Sequence, residues 1–122
     1  MRTKTIDHFL RATWQAVSKM YNEEASRYGA TMATGLTLLS IDTEEGVPST
    51  SLGPRMGMES TSLSRTLKTM ENQGLIRREP NPQDGRSVLI RLTKEGLEKR
   101  SLSREVVMHF NQVIEESVNP EE

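Results

Sequence analysis

Hydrophobic positions at both ends of this chain follow the spacing of amphipathic helices. Residues 3–28 carry apolar side chains every three or four positions and predict a long first helix, which Gly29 ends. A second helix is predicted over residues 32–42, and Thr93 is a candidate N-cap for a last helix. The first and last helices have more apolar positions than one small domain buries, which predicts that they also pack on a second chain.

A helix predicted over residues 60–73 has a narrow apolar stripe and an unusual polar face. Its apolar residues recur at i, i+4 and i+7, namely Leu63, Leu67 and Met70. The opposite side carries hydroxyls, Arg65 and Lys68, and no acid lies between Glu59 and Glu71. Small donors with cations suit phosphate oxygens and base edges of DNA. A polar surface helix rich in serine and threonine has the same pattern, so this helix alone leaves both interpretations open.

The residues after this helix predict a basic hairpin. Gly74 ends the helix, and two strands, residues 75–79 and 88–92, flank a segment rich in turn residues. Arg86 lies at the turn, and further arginines lie on the strands at positions 77, 78 and 91. Residues 46–48 predict a connector, with a short edge strand against this hairpin as the alternative. A basic hairpin beside a helix of hydroxyls and cations is typical of a winged helix-turn-helix.

A short helix is predicted just before residues 60–73, and its start is marked by hydroxyl residues. Pro54 is expected in its first turn, where a missing N–H costs nothing. The candidate N-caps are Ser49, Thr50 and Ser51.

Two strings of residues resemble the MarR family of regulators. The wing string is Asp84-x-Arg86-Ser87-x-x-Ile90-x-Leu92-Thr93-x-x-Gly96. The helix string is Leu52-x-x-x-Met56-Gly57-Met58-x-x-x-Ser62-Leu63-x-Arg65-x-Leu67-x-x-Met70-Glu71-x-x-Gly74-Leu75-Ile76. Gly53-Pro54 departs from the family pattern, so the first helix of the pair is expected to be short or irregular.

The resemblance implies a mainly α fold with a small β-hairpin wing. It implies a single domain over residues 1–122, with dimerisation helices at 1–30 and 94–122 around a winged-helix DNA-binding part at 31–93. The implied function is a dimeric, sequence-specific regulator of transcription that binds a pseudo-palindromic operator in double-stranded DNA. Repression tuned by a small apolar or aromatic effector is expected. The alternative is a winged helix that binds protein and not DNA.

The expected DNA contacts lie on helix 60–73 and at the wing tip, the turn of the hairpin around residues 84–86. Arg86 is expected to enter the minor groove, and Asp84 to orient Arg86 through an ion pair. The helix residues are Ser60, Thr61, Ser62, Ser64, Arg65, Lys68 and Thr69. An effector pocket at the junction of the two parts would be lined by Trp14, Tyr21, Tyr28 and Phe110, although an aromatic stripe is more often core.

The net charge of −1 hides an uneven distribution. Residues 53–100 hold ten cations and six acids, a net charge of +4, whereas the rest of the chain holds six cations and eleven acids, a net charge of −5. A basic module on acidic supports is the electrostatic pattern of a nucleic-acid binder, because the local field attracts phosphate.

Composition excludes several other classes of protein. With no cysteine there are no disulfides and no thiolate metal site. Two histidines and no serine in a strand-to-helix elbow give catalysis no support, so no enzyme, metal or cofactor is expected. No apolar run approaches 18 residues, so no membrane span and a cytoplasmic location are expected. The last four residues, Asn119-Pro120-Glu121-Glu122, read as a helix start, which predicts a final helix beyond the chain.

Overall fold

A computed structural model of the chain describes residues 5–117. The chain consists of two compact units, Met1–Met32 and Ala33–Glu122. The predicted final helix after Asn119 lies outside the described residues.

The first unit is built on one long helix, α1, Ile6–Ser26, in which no residue is buried. Its end is where the sequence predicts it, because Gly29 adopts φ +70° and the Ala30 N–H donates to the Ala25 carbonyl. The Asn22 side chain then accepts a hydrogen bond from the Met32 N–H at 2.9 Å, which ties the segment after α1 to that helix.

The second unit carries four helices and a small sheet. Its elements are α2 (Met32–Ser40), β1 (Val47–Pro48), α3 (Ser49–Met56), α4 (Ser60–Asn72), β2 (Ile76–Pro80), β3 (Val88–Leu92) and α5 (Lys94–Ser117). The sheet is antiparallel with the strand order β1-β3-β2, which confirms the edge strand predicted as the alternative. Each helix or strand predicted within residues 5–117 is present, with ends that differ from the prediction by at most a few residues.

The core of this unit is formed where α2, α3 and α4 meet one face of the sheet. The apolar stripe of α4 is buried as its spacing predicts. It packs with buried residues from other elements of the unit and from the segments between them, namely Leu38, Ile41, Val47, Leu52, Leu75, Ile76, Ile90 and Leu92. Burial of one face of α4 leaves its polar face directed to solvent.

The predicted start of α3 is wrong. The helix begins at Ser49 with Pro48 as its N-cap and no side-chain cap bond, so the three hydroxyl residues lie inside the helix. Pro54 therefore lies in the interior of an eight-residue helix and not in its first turn. The cause is β1, whose pairing with β3 runs up to Pro48 and forces the helix to start at the next residue. The expectation of a short helix is confirmed.

Hydrogen bonds from the backbone and from the Thr93 side chain join the end of α4 to the start of α5. Gly74 adopts φ +76°, and the Leu75 N–H donates to the Met70 carbonyl in a Schellman-type helix end. The Thr93 hydroxyl donates to the Gly74 carbonyl at 2.6 Å and accepts the Gly96 N–H at 3.0 Å, which confirms Thr93 as the cap of α5. Gly96 is required here because a Cβ atom would overlap the Leu75 carbonyl oxygen.

Replacement of Gly96 by alanine is expected to lower the free energy of unfolding by about 1–3 kcal/mol, because the new methyl group forces α5 away from the Leu75 carbonyl. Urea titration followed by circular dichroism measures the change. Gly85→Ala is the control, because the wing tip leaves open space around that position and its backbone is not left-handed. Equal stability of the two variants would contradict the close approach at Gly96.

Candidate nucleic-acid interface

The exposed face of α4 presents the residues that the sequence predicts as DNA contacts. All seven of them are exposed, namely Ser60, Thr61, Ser62, Ser64, Arg65, Lys68 and Thr69. Within residues 5–117, neither Arg65 nor Lys68 forms an ion pair. The first turn of α4 also lacks a side-chain cap, so its N–H groups remain available to an anion.

A three-residue turn holds α4 against α3. α3 ends at Met56 and is capped by Gly57, which adopts φ +65°, and the Met58 N–H donates to the Gly53 carbonyl at 3.0 Å. Leu52 of α3 is completely buried and fixes the pair on the core. This is the geometry of a helix-turn-helix, in which the second helix presents its outer face to a ligand.

The strand arginines of the wing are bound to acids. Glu79 accepts hydrogen bonds from the Nε atoms of Arg77 at 2.8 Å and Arg91 at 2.6 Å. Arg78 forms an ion pair with Glu71 at the end of α4 at 3.4 Å. The sequence pattern indicates a basic hairpin but does not indicate these partners, because the cross-strand pairing depends on register.

The wing tip has a different arrangement from the predicted one. The Asp84 carboxylate accepts a hydrogen bond from the Arg86 backbone N–H at 2.9 Å, and the ion pair expected between their side chains is absent from the described residues. Asp84 bonds the backbone two residues ahead, as aspartate commonly does in tight turns. The Arg86 side chain is exposed and forms no ion pair with another described residue.

From this hydrogen bond we expect two substitutions of Asp84 to have different effects on DNA binding. Asp84→Ala removes the acceptor of the Arg86 N–H and is expected to weaken DNA binding severalfold, because a looser tip loses more entropy on binding. Asp84→Asn keeps an oxygen acceptor and removes a negative charge, so it is expected to bind at least as tightly as the wild type. Fluorescence anisotropy with a labelled duplex compares the three proteins. Equal weakening by alanine and asparagine would contradict the backbone role.

The candidate effector residues are divided between the two units. Trp14 and Tyr28 are exposed on the first unit, and Tyr21, also there, is half-buried, which raises the pKa of its hydroxyl. Phe110 is a half-buried residue of α5. Their role as an effector site remains a prediction.

Residues 5–117 contain no cluster of three or more histidine, cysteine or acidic side chains that could hold a metal ion. Nor is any helix in this range long and apolar enough to cross a membrane.

Comparison with known proteins identifies the class to which this fold and surface belong. The sequence model of the MarR family matches residues 30–88. The organic hydroperoxide resistance transcriptional regulator of Bacillus subtilis is 34% identical over 87 residues, which cover 71% of this chain and 59% of that relative.

Two solved structures have the same fold. S. aureus MepR in a DNA complex has a TM-score of 0.87 at 18% identity, with 98% of this chain and 88% of MepR covered. A point mutant of E. coli MarR complexed with operator DNA has a TM-score of 0.83 at 24% identity, with 96% of this chain and 84% of MarR covered.

The chain belongs to the MarR family of winged helix-turn-helix transcriptional regulators. The predicted family and the predicted fold, mainly helical with a small β-wing and flanking terminal helices, are both confirmed. The family is not one of enzymes, which confirms the expectation of a non-enzymatic protein. Because the chain spans only 59% of its B. subtilis relative, its full activity and partners do not follow from membership alone.

Proposed function

We propose that this protein is a dimeric transcription regulator that binds a specific sequence in double-stranded DNA. The observation that carries the proposal is the two-sided structure of α4. One side is buried in the core, and the other exposes hydroxyls together with Arg65 and Lys68, which form no ion pair within the described chain. Cations without an intramolecular partner can bind phosphate at no cost in broken ion pairs.

The proposed complex places α4 in the major groove and the wing tip in the adjacent minor groove. Ser62, Arg65 and Lys68 are the main contacts to bases or phosphates, and Thr61 and Thr69 support them. Arg86 at the exposed tip enters the minor groove, where narrow A·T-rich stretches concentrate negative potential. MepR and MarR, which have a similar fold, were each solved in complex with DNA, and this supports DNA as the ligand of this chain.

A second copy of the chain is the proposed partner of α1. Ile6 and Leu10 are 78% and 66% exposed on this helix, and Phe9 and Trp14 lie beside them. A continuous apolar face of this kind marks an interaction surface. The predicted dimerisation segments, residues 1–30 and 94–122, would then place two α4 helices on the half-sites of a pseudo-palindromic operator.

The proposal also includes repression of transcription and its control by a small effector. A small apolar or aromatic effector would bind at the aromatic side chains of the first unit, Trp14, Tyr21 and Tyr28, and would shift the protein away from its DNA-binding state. Trp14 is the single tryptophan of the chain, so its fluorescence reports binding directly. Titration with a panel of small aromatic compounds tests this part, and unchanged emission together with unchanged operator affinity would contradict it.

Duplex binding at increasing salt tests the main proposal. A regulator that neutralises phosphates is expected to bind random duplex DNA at low salt and to lose affinity linearly on a plot of log K against log salt. Selection of bound sequences from a random pool then identifies the operator. A winged helix that serves only as a protein-interaction module would give no binding, or binding independent of salt.

A further inference from the structure

Two arginines face each other on the outer side of the wing. Arg77 of β2 and Arg91 of β3 are direct partners in the antiparallel register, so two like charges stand opposite one another. Like charges in this position repel unless an acid lies between them. Glu79, two residues after Arg77 on the same face of β2, is that acid.

Both guanidinium groups are held at more than one point. Arg77 bonds Glu79 through Nε and the Leu92 carbonyl through Nη1 at 3.3 Å. Arg91 bonds Glu79 through Nε and the Glu44 carbonyl through Nη1 at 2.8 Å. Hydrogen bonds from Arg77 and then Arg91 hold the pKa of the Glu79 carboxyl below its ordinary value, so Glu79 is charged at neutral pH.

The cations of the proposed DNA surface are not held in this way. Arg65 and Lys68 on α4 and Arg86 at the wing tip form no ion pair within residues 5–117. The cations without an ion pair therefore lie on α4 and at the wing tip, where the protein would contact DNA bases. The cations with an ion pair lie on the strands of the wing, residues 76–80 and 88–92.

We propose that Glu79 determines the specificity of DNA binding by keeping Arg77 and Arg91 away from phosphates. The inference rests on the proposed DNA-binding function. Contacts from the strands of the wing to phosphate would add affinity on every sequence alike, because phosphate contacts carry no sequence information. When Arg77 and Arg91 are held by Glu79, the free cations of the proposed DNA surface are Arg65, Lys68 and Arg86, which raises the ratio of operator affinity to random-sequence affinity.

Glu79→Gln is the test variant because the Glu79 carboxylate binds Arg77 and Arg91 together, an arrangement called here the Glu79 bridge. The two carboxylate oxygens each accept one Nε–H, Oε1 from Arg77 and Oε2 from Arg91. An amide replaces one of those oxygens with an NH₂ donor, which faces another donor and releases at least one arginine. The variant is expected to fold, because the bridge lies on the surface of the sheet, outside the buried core.

The expected result is tighter binding to random duplex DNA. Each arginine that gains a phosphate contact steepens the plot of log K against log salt by about 0.9 and tightens binding roughly three- to tenfold near 0.1 M salt. The operator affinity is expected to rise less, so the specificity ratio falls.

Glu44→Gln is the matched control. It removes one negative charge beside the same arginine but leaves the Glu44 backbone carbonyl, and therefore its bond to Arg91, in place. If Glu44→Gln and Glu79→Gln tighten binding equally with no change in slope, simple loss of charge explains the effect and the proposal is overturned.

Arg77→Gln gives a second test that does not depend on the folding of the Glu79 variant. An arginine withheld from DNA contributes no phosphate contact, so Arg77→Gln is expected to keep the wild-type salt slope. Flattening of the slope by about 0.9 would show that Arg77 already contacts phosphate and would overturn the proposal. Failure of the wild type to bind any duplex at low salt would instead overturn the proposed function itself.

Discussion

Arg65→Ala and Lys68→Ala are expected to weaken DNA binding and to flatten the plot of log K against log salt by about 0.9 for each phosphate that the variant no longer neutralises. Both side chains are exposed on α4, and neither forms an ion pair within residues 5–117, so their removal breaks no ion pair of the folded protein. A drop in DNA affinity can then be attributed to lost contacts with DNA, provided that thermal unfolding of the variants matches that of the wild type.

The sequence of the DNA separates two roles for these cations. A residue that reads a base is expected to cost about 1–3 kcal/mol on the operator and much less on random duplex when replaced by alanine. A residue that contacts only phosphate is expected to weaken binding to both by the same factor. Arg104→Ala is the control, because Arg104 is an exposed cation of α5 outside the proposed surface. Wild-type affinity in both α4 variants would show that α4 does not read DNA.

The sequence predicts α4 well because its information is local. Three apolar residues at helical spacing define the buried side, and the exposed side follows from the same geometry. The connection from α4 to α5 is predictable for the same reason. Gly74 can adopt the left-handed backbone that ends α4, and the Thr93 hydroxyl can cap α5. All seven predicted contacts of α4 are accordingly exposed, although contact with DNA itself remains a proposal.

The errors arise where distant residues decide local structure. The start of α3 depends on β1, which exists only because β3 pairs with it, so the hydroxyls at 49–51 mislead a local interpretation of the sequence. The Glu79 bridge depends on the register that places Arg77 opposite Arg91. At the wing tip, the sequence indicates that Asp84 and Arg86 interact, but only coordinates distinguish a bond to the backbone from an ion pair.

Replacement of Ile6 and Leu10 by glutamate is expected to convert a dimer into monomers and to abolish operator binding. Both side chains are mostly exposed, and no residue of α1 is buried, so the substitutions remove no core packing. Two charges on the apolar face instead oppose its burial against a second copy. Sedimentation velocity measures the change in mass, and Gln15→Glu adds a charge to another side of the same helix as a control.

The monomer is expected to keep one DNA-binding unit, and this distinguishes loss of the dimer from loss of the fold. A two-fold dimer places its two recognition helices about 34–36 Å apart, one turn of B-DNA, so operator affinity depends on both copies. A monomer with α4 and the wing intact is expected to bind random duplex weakly, with roughly half the wild-type salt slope, because half of the phosphate contacts remain. A wild-type protein that sediments as a monomer, or a variant that still binds the operator as a dimer, would contradict the role assigned to α1.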